Sequence, residues 1–205
     1  MNANERTVSL GEAHNLSFVD RLGVWLSSHK ISRVVGSFDG RRVGDFGSGF
    51  HARTSRPFFD RAAHVTLIDV SLAPELKGQA KITAIEGQLP GAMGQVASES
   101  IDIALCVSVL EHLSAPQLML DELFRVTARG GVCIVNVPNW LGKRLLEFSA
   151  FRLGLSPKFE MDDHKMYYAA RDLWPLLVKA GFLPSAIKIR RHKLASNTIA
   201  IAKKP

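Results

Sequence analysis

The residues best placed to do chemistry in this chain are two carboxylates and a pair of glycines. The run Arg42-Val43-Gly44-Asp45-Phe46-Gly47-Ser48-Gly49-Phe50 sets an acid and two glycines behind a short apolar stretch, and Val65-Thr66-Leu67-Ile68 ends on a second acid, Asp69. The first segment is predicted to be a strand running into a glycine turn. There the missing side chains let a ligand approach the backbone, and a following helix N-terminus offers free N–H groups. Gly49 and Asp69 are 20 residues apart, the spacing of one strand–helix unit, which lets an acid at the tip of the next strand hold ribose hydroxyls. Together the two segments describe a nucleotide-type cofactor site.

The kind of cofactor follows from the order of residues. A nicotinamide fingerprint would read G-x-G-x-x-G, whereas this chain reads Asp45-x-Gly47-x-Gly49-x-His51. An acid at the mouth of the turn repels a pyrophosphate and suits a ligand carrying an ammonium or sulfonium charge. The D/E-x-G-x-G order resembles that of class I S-adenosylmethionine-dependent methyltransferases, and the resemblance covers roughly residues 41 to 137. Three later segments extend it in the family's order. Gly87-Gln88-Leu89-Pro90 stands where the family carries Gly-Asp-x-x-Leu-Pro, with Gln88 in place of the acid that reaches the adenine amino group and Glu86 as a competitor. Ile101-Asp102-Ile103-Ala104-Leu105-Cys106-Val107-Ser108-Val109-Leu110-Glu111-His112-Leu113 is similar to the fourth strand and the turn after it. Arg125-Val126-Thr127-Ala128-Arg129-Gly130-Gly131, leading into Val132 to Asn139, is similar to the turn and fifth strand that follow.

The resemblance implies S-adenosylmethionine as cofactor and a set of lining residues. Gly47 and Gly49 would approach the methionine part, Asp45 would favour its positive end, and Asp69 would hold the ribose. Gln88 and Leu89 would flank the adenine, and Cys106 and Val107 would lie near the transferring methyl through their backbone; Phe46, Ser48 and Val70 complete the set. Methyl transfer from a sulfonium is a direct displacement, so the protein mainly aligns the partners and excludes water. A hydroxyl acceptor would also need a base, and two histidines compete for that role. His112 follows the fourth strand at the rim where ligands bind in such sheets. His164, in Glu160-Met161-Asp162-Asp163-His164, resembles a histidine of several bacterial small-molecule members. The alternative for His112 and Glu111 is capping and packing the next helix, and for His164 a loop contact with Asp162 or Asp163.

These residues need a scaffold. Strands are predicted near 41–46, 64–69, 81–85, 101–107 and 131–137, alternating with helical or loop segments, which is the pattern of an α/β parallel sheet. Only Val70 to Ala80 separates the second and third strands, too little for a full crossover helix. Leu16 to Val35 is predicted to be an amphipathic helix, with Phe18, Leu22, Trp25 and Leu26 at helical spacing. A helix from Arg171 to Ala180 ends at Gly181, and two alternating strands, 186–190 and 198–202, form a closing hairpin with Ser196-Asn197 near the turn. The expected fold is a Rossmann-like, doubly wound, mostly parallel sheet with a C-terminal antiparallel hairpin, seven strands in all. It divides one domain, 1–205, into an N-terminal helical lid (1–38), a cofactor-binding core (39–138), an acceptor-side insert (139–170) and a final helix and hairpin (171–205).

At 205 residues the chain suits one well-cored domain. The apolar runs are short and the start is polar, so a cytoplasmic protein is expected. Cys106 and Cys133 fall in predicted central strands as small buried hydrophobes, implying neither a disulfide nor a metal site. The net charge of +7 is uneven: residues 141–205 hold 13 Lys and Arg against 5 Asp and Glu. Either the tail, including Lys188, Arg190, Arg191, Lys193, Lys203 and Lys204, faces an anionic acceptor, or it only solubilises exposed strands. The insert from Asn139 to Leu155 mixes Trp140, Leu141, Leu145, Phe148 and Phe151 with Lys143, Arg144 and Arg152. As a lid it suggests a small-molecule acceptor that is anionic, a glycan, or lipid-linked at a membrane surface. The rival readings are a nucleic-acid methyltransferase, opposed by the lack of an aromatic platform, and a non-catalytic S-adenosylmethionine-binding regulator. A nicotinamide oxidoreductase is opposed by the acid before the turn.

Overall fold

The computed structural model describes residues 9–12, 18–142 and 165–205. Helix α1 (Phe18–Val35) is followed by strands β1 (Arg42–Phe46), β2 (His64–Asp69), β3 (Ile82–Glu86) and β4 (Ile101–Val107). Helix α2 (Pro116–Val126), strand β5 (Thr127–Pro138), helix α3 (Ala170–Ala180) and strands β6 (Ile187–His192) and β7 (Asn197–Lys203) complete the order. The seven strands make one sheet in the order β3-β2-β1-β4-β5-β7-β6. Strands β1 to β5 pair in parallel, and β7 slots antiparallel between β5 and β6. This is the expected Rossmann-like sheet with its closing hairpin. Because β1 lies between β2 and β4, the chain reverses its direction of winding there, and a crevice opens beyond the carboxyl ends of β1 and β4.

Most strand limits match the apolar runs. Strand β5 is the exception, since it begins at Thr127 rather than near residue 131. Thr127 pairs with Ile101, and the register then shifts so that Val132 faces Ile103. The predicted turn at Arg129-Gly130-Gly131 is thus a bulge inside the strand, and a Cβ on Gly131 would stand 2.8 Å from the Ala128 carbonyl oxygen.

Each face of the sheet has its own core. One is closed by α2 and α3, whose Met119, Leu120, Leu123 and Val126, and Leu173 and Leu177, pack with Phe46, Cys106, Val135 and Val137. The spacing of three and four residues puts each set on one helix face. The other face joins Ile31 of α1 to Phe38, Phe58, Leu72 and Leu76 and to Val43, Leu105, Ile134 and Ile199 of the strands.

Two expectations need correction. The link between β2 and β3 is abbreviated as anticipated, holding only the 3-10 turn Pro74–Leu76, but the helix expected after β1 is absent, and the β3–β4 link, open to either helix or loop, is equally short of helix. Residues between β1 and β2 form only the 3-10 turn Arg56–Phe58, and those between β3 and β4 only Gly91–Gln95. Pro57 in the first, and Pro90, Gly91 and Gly94 in and beside the second, are poor helix residues. The second correction concerns α1. The helix exists, but Leu22 and Trp25 lie on its outer side, Trp25 being 59% exposed and stacked on His29. Among its described side chains the buried ones are Ser27, Ser28 and Ile31. The Ser28 hydroxyl donates to the Thr54 carbonyl at 2.6 Å, so small polar side chains let the helix settle directly on the backbone of the β1–β2 link.

Candidate functional site

The glycine turn closes on itself instead of opening toward a helix dipole. Gly47 and Ser48 donate their N–H groups to the Ile68 carbonyl at 2.8 and 3.2 Å, Gly49 donates to Asp69 Oδ2 at 2.7 Å, and Phe50 donates to the Leu10 carbonyl at 3.0 Å. The expectation of free N–H groups at a helix N-terminus is therefore overturned. With no helix after β1, the turn folds its donors back on the tip of β2. Gly47 has φ +84°, and a Cβ there would stand 2.2 Å from Val109 Cγ2. Its missing side chain is used by Val109, which joins the β1 turn to the β4 turn. Gly49, at φ +74°, faces the Leu10 carbonyl oxygen at 3.2 Å from where its Cβ would be.

Asp45 lies in the middle of the sheet, paired in register with Leu67 of β2 and Leu105 of β4. Its side chain is 1% exposed and Oδ2 has no hydrogen-bond partner. Burial pushes its carboxyl up to about 7, with the Ser55 hydroxyl opposing that shift and the neighbouring Asp69 adding to it. Phe46, next in sequence, is a core side chain on the α2 and α3 face, so it can meet a ligand only through its backbone. Ser48 is buried and donates to the Gly49 carbonyl at 3.2 Å.

Asp69 organises the other half of the cleft. Oδ2 takes the Gly49 N–H, and Oδ1 takes the Val70 N–H at 2.8 Å and the Ser9 hydroxyl. Ser9 also accepts from the Ser71 N–H at 3.0 Å, and Glu12 takes the Ser9 N–H at 3.1 Å and the Ser71 hydroxyl. Residues 9–12 thus strap across the tip of β2 and the glycine turn. Nothing in the local sequence of Ser9 signals this, because the contact spans 60 residues. At the tip of β3, Glu86 is committed to the Leu72 N–H and to Lys77, each at 2.8 Å. Beyond it Gln88 has an exposed side chain, while Leu89 is partly buried and packs against the core on the α2 and α3 side.

On the far side of β1, Cys106 is fully buried and its thiol is pushed well up by burial, with Cys133, Glu111 and Asp45 adding negative neighbours. Val107 ends the strand in register with Asn136, and Ser108 follows at φ +58°, held by its N–H to the Asn136 carbonyl at 2.8 Å. Glu111 and His112 form the 3-10 turn Leu110–His112 rather than the cap of α2, which begins four residues later at Pro116 behind Ala115. Glu111 is buried and His112 is partly so. The carbonyl of Glu111 receives the Lys165 N–H at 2.7 Å, which brings the far end of the insert back to this turn. His164 and the insert residues Lys143 to Leu155 lie outside the described residues, so His112 is the candidate base that can be located. Asn136 was missed by the sequence reading, although a polar residue within the apolar run Val132 to Val137 was its signal.

Residues 44–135 match the family profile described as a methyltransferase domain. An uncharacterized methyltransferase of Mycobacterium bovis is 31% identical over 138 residues, 65% of this chain and 50% of that protein. One from Mycolicibacterium vanbaalenii is 35% identical over 60 residues, 29% of this chain and 22% of that protein. The chain therefore spans half or less of the length of these relatives. Among solved structures, magnesium protoporphyrin IX methyltransferase from Synechocystis, with bound S-adenosylhomocysteine, has a TM-score of 0.67 at 20% identity, covering 95% of this chain and 91% of that one. A methyltransferase from Archaeoglobus fulgidus has a TM-score of 0.66 at 14% identity over 92% and 100%. At these identities the structures speak for the fold. No helix among the described residues is long and apolar enough to cross a membrane.

Proposed function

We propose that this chain, a member of the class I S-adenosylmethionine-dependent methyltransferase family, transfers a methyl group from S-adenosylmethionine to a small-molecule acceptor carrying an anionic group. The observation that carries the reading is the pair of acids in one crevice: Asp45, buried with Oδ2 unpartnered, and Asp69, which has a second oxygen turned to the same turn. An orphaned buried carboxyl oxygen is costly unless a cationic group arrives to meet it, and a cofactor with an ammonium and a sulfonium supplies one. The residues present thus fit the cofactor.

When bound, S-adenosylmethionine supplies an already activated methyl group. The chain's own residues would do the rest. Asp69, released from the Ser9 hydroxyl, holds the ribose diol, Gln88 and Leu89 flank the adenine, and Asp45 balances the positive end. Gly47, Ser48, Gly49 and Val70 line the cleft through backbone, and Cys106 and Val107 lie beside the acceptor, also through backbone. His112, on the turn after β4, takes the proton of a hydroxyl acceptor, with His164 as its competitor.

Calorimetric titration with S-adenosylmethionine, S-adenosylhomocysteine and NAD, on the wild type and Asp69→Ala, tests the cofactor reading. The first two should bind saturably and NAD should not, with affinity falling about a hundredfold or more in the variant. NAD binding, or affinities equal in both proteins, would overturn it. A non-catalytic binding role is the second reading, favoured by the strap of Ser9 on Asp69. Cofactor binding without methyl transfer to any member of a broad acceptor panel would favour it.

A further inference from the structure

The turn between β6 and β7 sits at the carboxyl rim, because β6 runs parallel to β5 with antiparallel β7 between them. Lys193, Leu194 and Ala195 all adopt left-handed backbone, with φ +48°, +53° and +67°. Three successive non-glycine residues there are held only if the surroundings over-determine them. Asn139, at the end of β5, does so: its Nδ2 donates to the Ala195 carbonyl at 2.8 Å and its N–H to the Ser196 carbonyl at 3.0 Å. The Ser196 hydroxyl then donates to the Lys193 carbonyl at 2.6 Å. Leu194, 92% exposed, gains nothing from the arrangement.

What the turn achieves is the placement of Lys193. Its Nζ lies 3.6 Å from where a Cβ on Gly23 of α1 would stand, so the ammonium fills the space left by a residue without a side chain. It makes no hydrogen bond or ion pair among the described residues, and burial lowers its pKa, opposed by the charges of Glu111 and Asp20. Three more polar residues on this side of the sheet lack partners among the described residues. Asn136 is 1% exposed, and neither its amide nitrogen nor its amide oxygen is hydrogen-bonded. It pairs in register with Ile199, which faces the α1 core, and so does Asn136. His192 Nε2 is unpartnered, and so is the buried hydroxyl of Ser27, one turn beyond Gly23 on α1. Groups of this kind are normally satisfied, and several together on one side of the sheet point to a place where something polar binds.

We infer that Lys193, with Asn136 and Ser27, forms the acceptor subsite and receives a small oxyanion, a carboxylate or a phosphate ester, on the methylated molecule. The inference rests on the methyltransferase reading for its reaction, though the site stands on this chain's own geometry. A carboxylate or phosphate brings acceptor oxygens for the ammonium and for the N–H and O–H donors of Asn136 and Ser27. The charges of Glu111 and Asp20 oppose the lowering of the ammonium's pKa by burial.

The test is calorimetric titration of the full chain, saturated with S-adenosylhomocysteine, with benzoate, phenyl phosphate and neutral benzamide. At least one anion should bind saturably and more tightly than benzamide, and the tighter one tells whether the acceptor's oxyanion is a carboxylate or a phosphate. Lys193→Met should weaken it about tenfold or more, whereas Lys203→Met, at the opposite end of β7, should leave it unchanged. Gly23→Asp, which puts a carboxylate beside the ammonium without removing it, should weaken the anion as well and guards against a folding defect in the first variant. Anions no tighter than benzamide, or an affinity unmoved by both Lys193→Met and Gly23→Asp, would overturn the subsite. If S-adenosylhomocysteine itself fails to bind, the methyl-transfer reading falls. The same anion titrations on the free protein then judge Lys193 separately.

Discussion

Asp69 and Lys193 stand at opposite ends of one sheet rim and treat polar groups in opposite ways. Around Asp69 every N–H from Gly47 to Phe50 has a partner, and the carboxylate accepts from Gly49, Val70 and Ser9. Around Lys193 the Asn136 amide, His192 Nε2 and the Ser27 hydroxyl are left without one among the described residues. The first end is a finished backbone structure, built to hold one shape. The second keeps several buried polar groups without partners on one side of the sheet. A cofactor of fixed structure suits the first, and an acceptor recognised by charge suits the second.

The largest effect should come from where the two ends meet. Gly47→Ala would drive a Cβ to within 2.2 Å of Val109 at positive φ, and it should cost about 2–4 kcal/mol of stability in urea unfolding. Adding Val109→Ala should recover part of that loss; no recovery would mean that the Val109 contact does not join the halves. Next comes the charge at the cofactor end. Burial keeps Asp45 protonated up to about 7, above the ordinary carboxylate range, so a cationic ligand meets a neutral acid below that pH and an anion above it. Cofactor affinity should therefore climb by up to about tenfold per unit as pH rises toward 7 and then level off, and Asp45→Asn should flatten the profile. The stability of the free protein runs the other way. A raised carboxyl pKa favours the folded state fully at low pH, and this contribution is lost as pH rises through about 7. The smallest effect concerns the strap. Ser9→Ala removes a hydroxyl that competes for Asp69 and should tighten S-adenosylhomocysteine about threefold to tenfold in the same titration. Weaker binding would mean that Ser9 supports the ligand instead of competing with it.

The same contrast governs what could be read in advance. Asp45, the glycines and Asp69 were legible because strand, turn and strand lie consecutively and their spacing is fixed by one crossover. The strands were legible because central strands are apolar and end at glycines, prolines and acids. The exposed face of α1 misled because Leu22 and Trp25 suggest burial, while the helix settles on the β1–β2 link through Ser27 and Ser28. The absence of helices after β1 and β3 was hidden in lengths that would have allowed one. Lys193 was one of many lysines in a basic tail, and what distinguishes it is a left-handed turn pinned by Asn139 from 56 residues away. Contacts of that range leave no local pattern.

The unequal crossovers also divide the sheet mechanically. Strands β4, β5 and β7 are backed by α2 and α3, whereas β2 and β3 have only short 3-10 turns in their links, and no β3 residue is fully buried. Local opening should begin at this thin margin, since exchange of backbone hydrogens is fastest where few apolar groups cover the ladder. The margin carries Asp69 and Gln88. A ligand clasped there would hold down the loosest part of the molecule, so that the occupied protein is tightened most at the edge that lacks helical crossovers.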